Sequence, residues 1–273
     1  MNTTTPGAST NTTTPYILGN LEMCVFSIKV LFGLPTHYYI IWLIVKGTGG
    51  VASEFFNFNL SVCEIGACLD CLFFILVNWI LFLEPLALLF QGFIITSRPL
   101  FQCLICVECY LAVVHPVTFL KYKPLRYRVI CSTAAWIIIF VSCLVCMFTL
   151  MSSNINAHTW FFLSQFIFIL SIQLFCLVAV LRALKQSGPG ERVREREEKN
   201  HMKRRAFQLI LITTVNMVIT YVPIIISGVF IILKQHYHVS YWAPGLVCYA
   251  LASFVQPVLF LRRAGKLSCP VSP

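Results

Sequence analysis

The chain has 273 residues, 58% of them hydrophobic and only 11% charged, with a net charge of +10 and a mean hydropathy of +0.82. A soluble domain is usually about 45–50% apolar and about 25% charged, so this composition argues against a soluble monomer. In so apolar a chain the excess cations fit cytoplasmic loops facing anionic membrane lipids, and no nucleic-acid partner is expected.

The length suits one all-α bundle of six to eight membrane helices of about 20 residues each, with no room for a second domain. Most of the 13 cysteines lie inside apolar runs, where a free thiol behaves as a small hydrophobe. Cys68/Cys71 and the row Cys103, Cys106, Cys109 have spacings that metal sites use, but on apolar membrane helices no metal is expected.

Residues 1–20 are rich in Thr, Asn, Ser and Pro and lack the apolar core of a signal peptide. Asn2 and Asn11 open N-glycosylation sequons, which fits an extracellular tail. Seven apolar segments follow within residues 21–267: Cys24–Val45, Phe55–Ile80, Pro85–Val114, Val129–Met151, Thr159–Leu184, Ala206–Leu233 and Tyr241–Leu261. Residues 268–273 form a short tail.

With the N-terminus outside, the inner connections and tail hold 17 of the 20 Lys and Arg residues. They are Lys46, the cluster Lys121–Arg128, the nine from Arg182 to Arg205, and Arg262, Arg263 and Lys266. Only Lys234 is placed outside, so the charge bias sets the orientation. The inner stretch Gln186–Arg205 reads either as a polar linker extending its flanking helices or as a docking surface for a cytosolic partner.

Charged side chains at bilayer depth cost roughly 2.5–3.5 kcal/mol each and seek partners inside the bundle. The chain places Lys29 on the first segment, Glu64 and Asp70 on the second, and Arg98 on the third. Arg98 stands roughly 16 Å above Cys109, and Glu64 roughly 14 Å above the inner end of its own segment. Similar depth and opposite charge imply an Arg98–Glu64 ion pair. Lys29 either pairs with Asp70 in the same way, or snorkels outward while Asp70 bonds a hydroxyl or water. Pro99, Pro223 and Pro257 each remove a helix hydrogen bond and mark bends or hinges, with Tyr221 beside Pro223.

The third segment ends in Glu108-Cys109-Tyr110, a short apolar stretch, His115-Pro116 and then cations, as a helix reaching a cytoplasmic surface would.

Several short motifs, in order and spacing, resemble the class A, rhodopsin-like, G-protein-coupled receptors. Glu108-Cys109-Tyr110 with LAVVHPV is similar to that family's acid-Arg-Tyr motif and second inner loop. Asn59-Leu60-Ser61-Val62-Cys63-Glu64 resembles its second-helix motif, Trp136 its fourth-helix tryptophan, and Tyr221-Val222-Pro223 its sixth-helix Trp-x-Pro. Gln256-Pro257-Val258-Leu259-Phe260 resembles the seventh-helix Asn-Pro-x-x-Tyr, and Leu261–Leu267 the short amphipathic helix after it.

The resemblance implies a seven-helix plasma-membrane receptor for an unknown extracellular ligand, signalling to a heterotrimeric G protein. It places Glu108, Cys109, Tyr110 and Pro116 at the G-protein side. Tyr221, Pro223, Pro257 and Phe260 become hinge or switch positions. Gln91, Ile95, Thr96, Ile224, Ile225 and Leu246 fall at pocket level.

The departures are specific. The central motif arginine is Cys109, the seventh-helix Asn and Tyr are Gln256 and Phe260, and the second-helix aspartate is Glu64. Glu84 stands where the family places a disulfide cysteine, so that bridge is expected to be absent. Gln91 replaces the acid of amine receptors, and Ala250 the retinal-binding lysine of opsins. The family's second-helix acid often binds sodium; here the Arg98 guanidinium is expected to replace the ion, with Gln102 and Gln256 completing a buried polar core.

Three functions remain in view. The first is an orphan-type receptor that transduces a ligand signal. The second is a receptor-fold chain with impaired G-protein coupling, acting as a decoy, a partner receptor or a constitutive signaller. The third is a transporter or channel, for which no inverted repeat is visible. No nucleophile–base set is visible, so no enzyme activity and no cofactor are expected. Cys269 is either a palmitoylation site or a plain surface cysteine.

Overall fold

A computed structural model gives the arrangement of the chain. It describes residues 13–47, 51, 54–77, 79–121, 124–185, 193–234 and 243–263. The sequons at Asn2 and Asn11, the tail with Cys269, and the side chain of Leu246 lie outside what is described.

The elements are α1 (Thr13–Ile28), a π-helical turn (Lys29–Gly33), α2 (Leu34–Lys46), α3 (Phe55–Val77), a 3-10 turn (Leu81–Leu83) and α4 (Glu84–Val114). Then follow α5 (Pro116–Lys121), α6 (Pro124–Met151), α7 (Ile155–Lys185), α8 (Val193–Lys234), α9 (Ala243–Ala252) and α10 (Val255–Arg263). Within a bilayer every backbone N–H and C=O must find a partner in the chain, and helices achieve that locally.

Among the described residues, six helices are long and apolar enough to cross a membrane: Asn20–Lys46, Phe55–Val77, Glu84–Val114, Leu125–Met151, Ile155–Lys185 and Ala206–Phe230. The chain is a multi-pass, all-α membrane protein. Its outward faces carry exposed Ile137, Phe140, Phe148, Phe168 and Phe175, which suits a lipid surround.

The seventh expected segment, Tyr241–Leu261, is not one long helix. It divides into α9 and α10 at Ser253–Phe254. The cause is Pro257, which has no N–H for the Ser253 carbonyl and whose ring crowds it. Ser253 and Phe254 turn instead on N–H bonds to the carbonyls of Ala250 and Leu251, both 3.2 Å. The Ser253 hydroxyl also donates to Ala250 O at 2.5 Å. Pro99 and Pro223, by contrast, sit inside α4 and α8 without interrupting them.

Two connections carry helix. The connection Ser152–Thr159 is mostly helix. Ser153 takes a left-handed φ of 53° to close α6, and Asn154 Oδ1 accepts from Ala157 N at 3.1 Å to cap α7. α8 begins at Val193, so the polar residues 193–205 extend the membrane helix. Lys203 Nζ donates to Ala183 O at 3.1 Å, a carbonyl in the last described turn of α7.

α4 is the hub, packing against α3, α6, α7 and α8. One apolar cluster joins α3, α4 and α6 through Phe56, Leu60, Phe101, Ile105 and Ile139. Another joins α4, α7 and α8 through Cys103, Phe166, Ile169, Met217 and Tyr221. Trp136 on α6 donates its indole N–H to Asn59 Oδ1 on α3 at 3.0 Å. The cysteines described are free thiols, and Cys63, Cys103, Cys106 and Cys143 fill core space. No group of three or more candidate metal ligands occurs among the described residues.

Candidate functional site

A charged cluster lies in the bundle interior. Arg98 Nη2 donates to Glu64 Oε2 at 2.6 Å, and Arg98 Nε donates to Glu64 Oε1. Both side chains are almost fully buried. The planar guanidinium fork matches the carboxylate, and each charge supplies the partner the membrane denies it.

Tyr249 on α9 completes the cluster. Its carbonyl accepts from Arg98 Nη1 at 3.3 Å, and its ring centre lies 4.3 Å from the guanidinium carbon. Lys29 Nζ donates to the Tyr249 hydroxyl at 2.9 Å and stands 4.0 Å from the same ring centre. Lys29 opens the π turn, whose wider winding is a common feature of functional helix positions. One pair and one tyrosine thus tie α3, α4, α9 and the π turn together.

Two expectations fail here. Lys29 pairs with Tyr249, neither with Asp70 nor with solvent, because α9 packs against α1 and brings a hydroxyl closer than the acid. Asp70 Oδ1 and His37 Nδ1 are buried with no hydrogen-bond partner among the described residues. Gln102 and Gln256 do not join the charged cluster either. They border a separate cavity of about 30 Å³, with Asn57, Thr213, Asn216 and Phe260 on its wall. Gln102 Oε1 and both polar atoms of Gln256 lack partners among the described residues.

A larger cavity of about 70 Å³ lies between α4, α7 and α8. Gln91, Ile95, Ile224 and Ile225 border it, as does Tyr221. Thr96 does not; its hydroxyl donates to Gln165 Oε1 at 3.2 Å, and Gln165 borders the cavity and donates onward to Ser142 Oγ at 2.9 Å. His158, Phe162 and Phe166 of α7 complete the wall. Sequence spacing could not identify those three, since nothing separates them from ordinary apolar helix faces. The Tyr221 hydroxyl is buried without a partner among the described residues.

An unpartnered buried hydroxyl costs about 1–3 kcal/mol. Tyr221→Phe is therefore expected to raise the thermal unfolding temperature of the ligand-free chain. A fall in that temperature would show that the hydroxyl is already bonded.

At the C-terminal end of α4, Glu108 is held by Arg128 of α6. Arg128 Nε donates to Glu108 Oε1 at 2.7 Å, and Nη2 donates to the same oxygen. The Tyr110 hydroxyl lies 3.2 Å from His115 Nε2. Cys109 packs between the apolar clusters of α4, α6 and α8. Pro116 opens α5, where its missing N–H is no loss and where it stops α4. Arg128 read only as a loop cation in the sequence; its partnership with Glu108, 20 residues earlier, is a product of the fold.

No family model matches the chain, and no curated protein matches it.

Proposed function

We propose that the chain is a seven-crossing receptor of the rhodopsin-like kind, set in the plasma membrane with its N-terminus outside. In this reading α9 and α10 together make the last crossing, since residues 243–263 give about 30 Å of helix, a bilayer's thickness. An extracellular ligand enters the α4–α7–α8 cavity, and the Tyr221 hydroxyl is its polar contact. Pro223, two residues on, lets α8 respond by bending. The observation that carries the reading is this cavity, with its unpartnered hydroxyl, above a charged cluster that ties four elements together. The Trp136–Asn59 bond between two motif residues supports it. The inner cations would lie against anionic lipid.

A second reading has one specific observation in its favour. Cys109 offers no cation to a G protein, and Glu108 is already held by Arg128. A chain built this way folds as a receptor and couples poorly, serving as a decoy, a partner receptor or a constitutive signaller. The transporter reading has less support, because the two cavities share no wall residue.

Second-messenger output in cells, basal and under a ligand screen, separates these readings when wild type is compared with Cys109→Arg. Coupling by wild type supports the receptor. Coupling by the arginine variant alone marks a silenced receptor. If neither form recruits a G protein, the signalling reading is lost.

A further inference from the structure

The connection between α3 and α4 has an unusual surface. Residues 78–83 read NWILFL, without a charge. Phe82 is 90% exposed and Trp79 83%, the two highest values among the large hydrophobic side chains described. Ile80 is half exposed. Water would be a poor surround for such a group.

Three amides of this connection are bonded within the chain. The amides of Trp79 and Ile80 both donate to Leu76 O at 2.9 Å, and Leu83 N donates to Ile80 O at 3.1 Å. Leu81–Leu83 closes as a 3-10 turn directly before α4. Amides that are bonded within the chain do not resist a less aqueous environment.

We propose that this connection is a membrane anchor, with Trp79, Ile80 and Phe82 inserted into the headgroup–acyl boundary of the adjacent leaflet. The partner is the lipid surface itself, and the inference is independent of the receptor reading. Three observations point to lipid. The patch continues the exposed apolar faces of the two spans it joins, with Leu72 and Phe74 on α3 and Leu86 on α4. Tryptophan favours the interface, where its ring is apolar and its N–H stays wet. The opposite boundary is marked in the same way, where Tyr39 stacks on Trp42 at 5.9 Å and Lys46 lies 5.4 Å from the Trp42 ring centre.

The test uses the full chain, labelled with 5-fluorotryptophan, in phosphatidylcholine nanodiscs. The Trp79 fluorine resonance is identified by its loss in Trp79→Phe, a substitution at an exposed position. Two quenchers are compared: a lipid spin-labelled near its headgroup and a soluble gadolinium chelate. The expected result is strong broadening of the Trp79 signal by the spin-labelled lipid and weaker broadening by the chelate. Broadening by the chelate alone would show a solvated loop and overturn the anchor. Insensitivity to both would show that protein, such as a second copy of the chain, covers the patch, and would overturn it as well.

Discussion

Arg98→Ala is expected to destabilise the folded chain by about 3–5 kcal/mol, the usual consequence of stranding one member of a buried ion pair. Glu64 is 3% exposed and would lose both guanidinium hydrogen bonds. The Tyr249 carbonyl would lose its donor as well, so α9 would loosen from α4. Glu64→Gln is expected to be milder, because an amide still accepts one bond but leaves the arginine charge uncompensated. The double variant Arg98→Leu/Glu64→Leu should cost less than the sum of its parts, with a coupling of about 0.5–3 kcal/mol. Thermal unfolding of each variant in nanodiscs, alongside surface expression, reads the effect. Single variants that unfold with wild type would remove the pair from any structural role.

The second large effect is expected at Gly92, where α4 crosses α6. A Cβ there would lie 2.7 Å from Ser142 O, 2.7 Å from Cys146 Cβ and 2.8 Å from Cys143 Cα. Two of these three atoms are backbone and cannot swing aside, so the helices must separate. Small residues permit such close crossings in membranes, where packing supplies much of the association. Overpacking of this kind costs about 1–3 kcal/mol for an added methyl, and Gly92→Val should exceed Gly92→Ala. Separation of α6 would also strain the Trp136–Asn59 bond. Gly92→Ala unfolding at the wild-type temperature would mean that the crossing is looser than described.

The segments and the charged residues were legible in one dimension. Apolar runs of bilayer length leave little choice but helix, and membrane burial obliges Arg98 and Glu64 to find opposite charge. Depth counted along two helices sufficed to place them together, because helix rise is fixed. Lys29 shows the limit of that method. Its partner Tyr249 lies 220 residues away, and a tyrosine in an apolar run carries no mark that distinguishes a cluster member from core. The family resemblance implies that Gln102 and Gln256 complete the polar core, yet they border another cavity, since a motif position says nothing of which way a side chain faces.

The stretch at the C-terminal end of α4 divides in the same manner. The sequence alone determined that Glu108-Cys109-Tyr110 ends a helix at a charged boundary, because Pro116 halts the helix and cations follow. Only the tertiary structure decided that Arg128, carried on α6, supplies the cation that Cys109 does not. It likewise decided that Pro257 divides the last apolar segment, and that the cavity wall includes α7. Helix formation and membrane insertion depend on local composition and hydrogen bonding, which a sequence states directly. Partner choice depends on how helices rotate and cross, which is settled by packing among residues far apart in the chain.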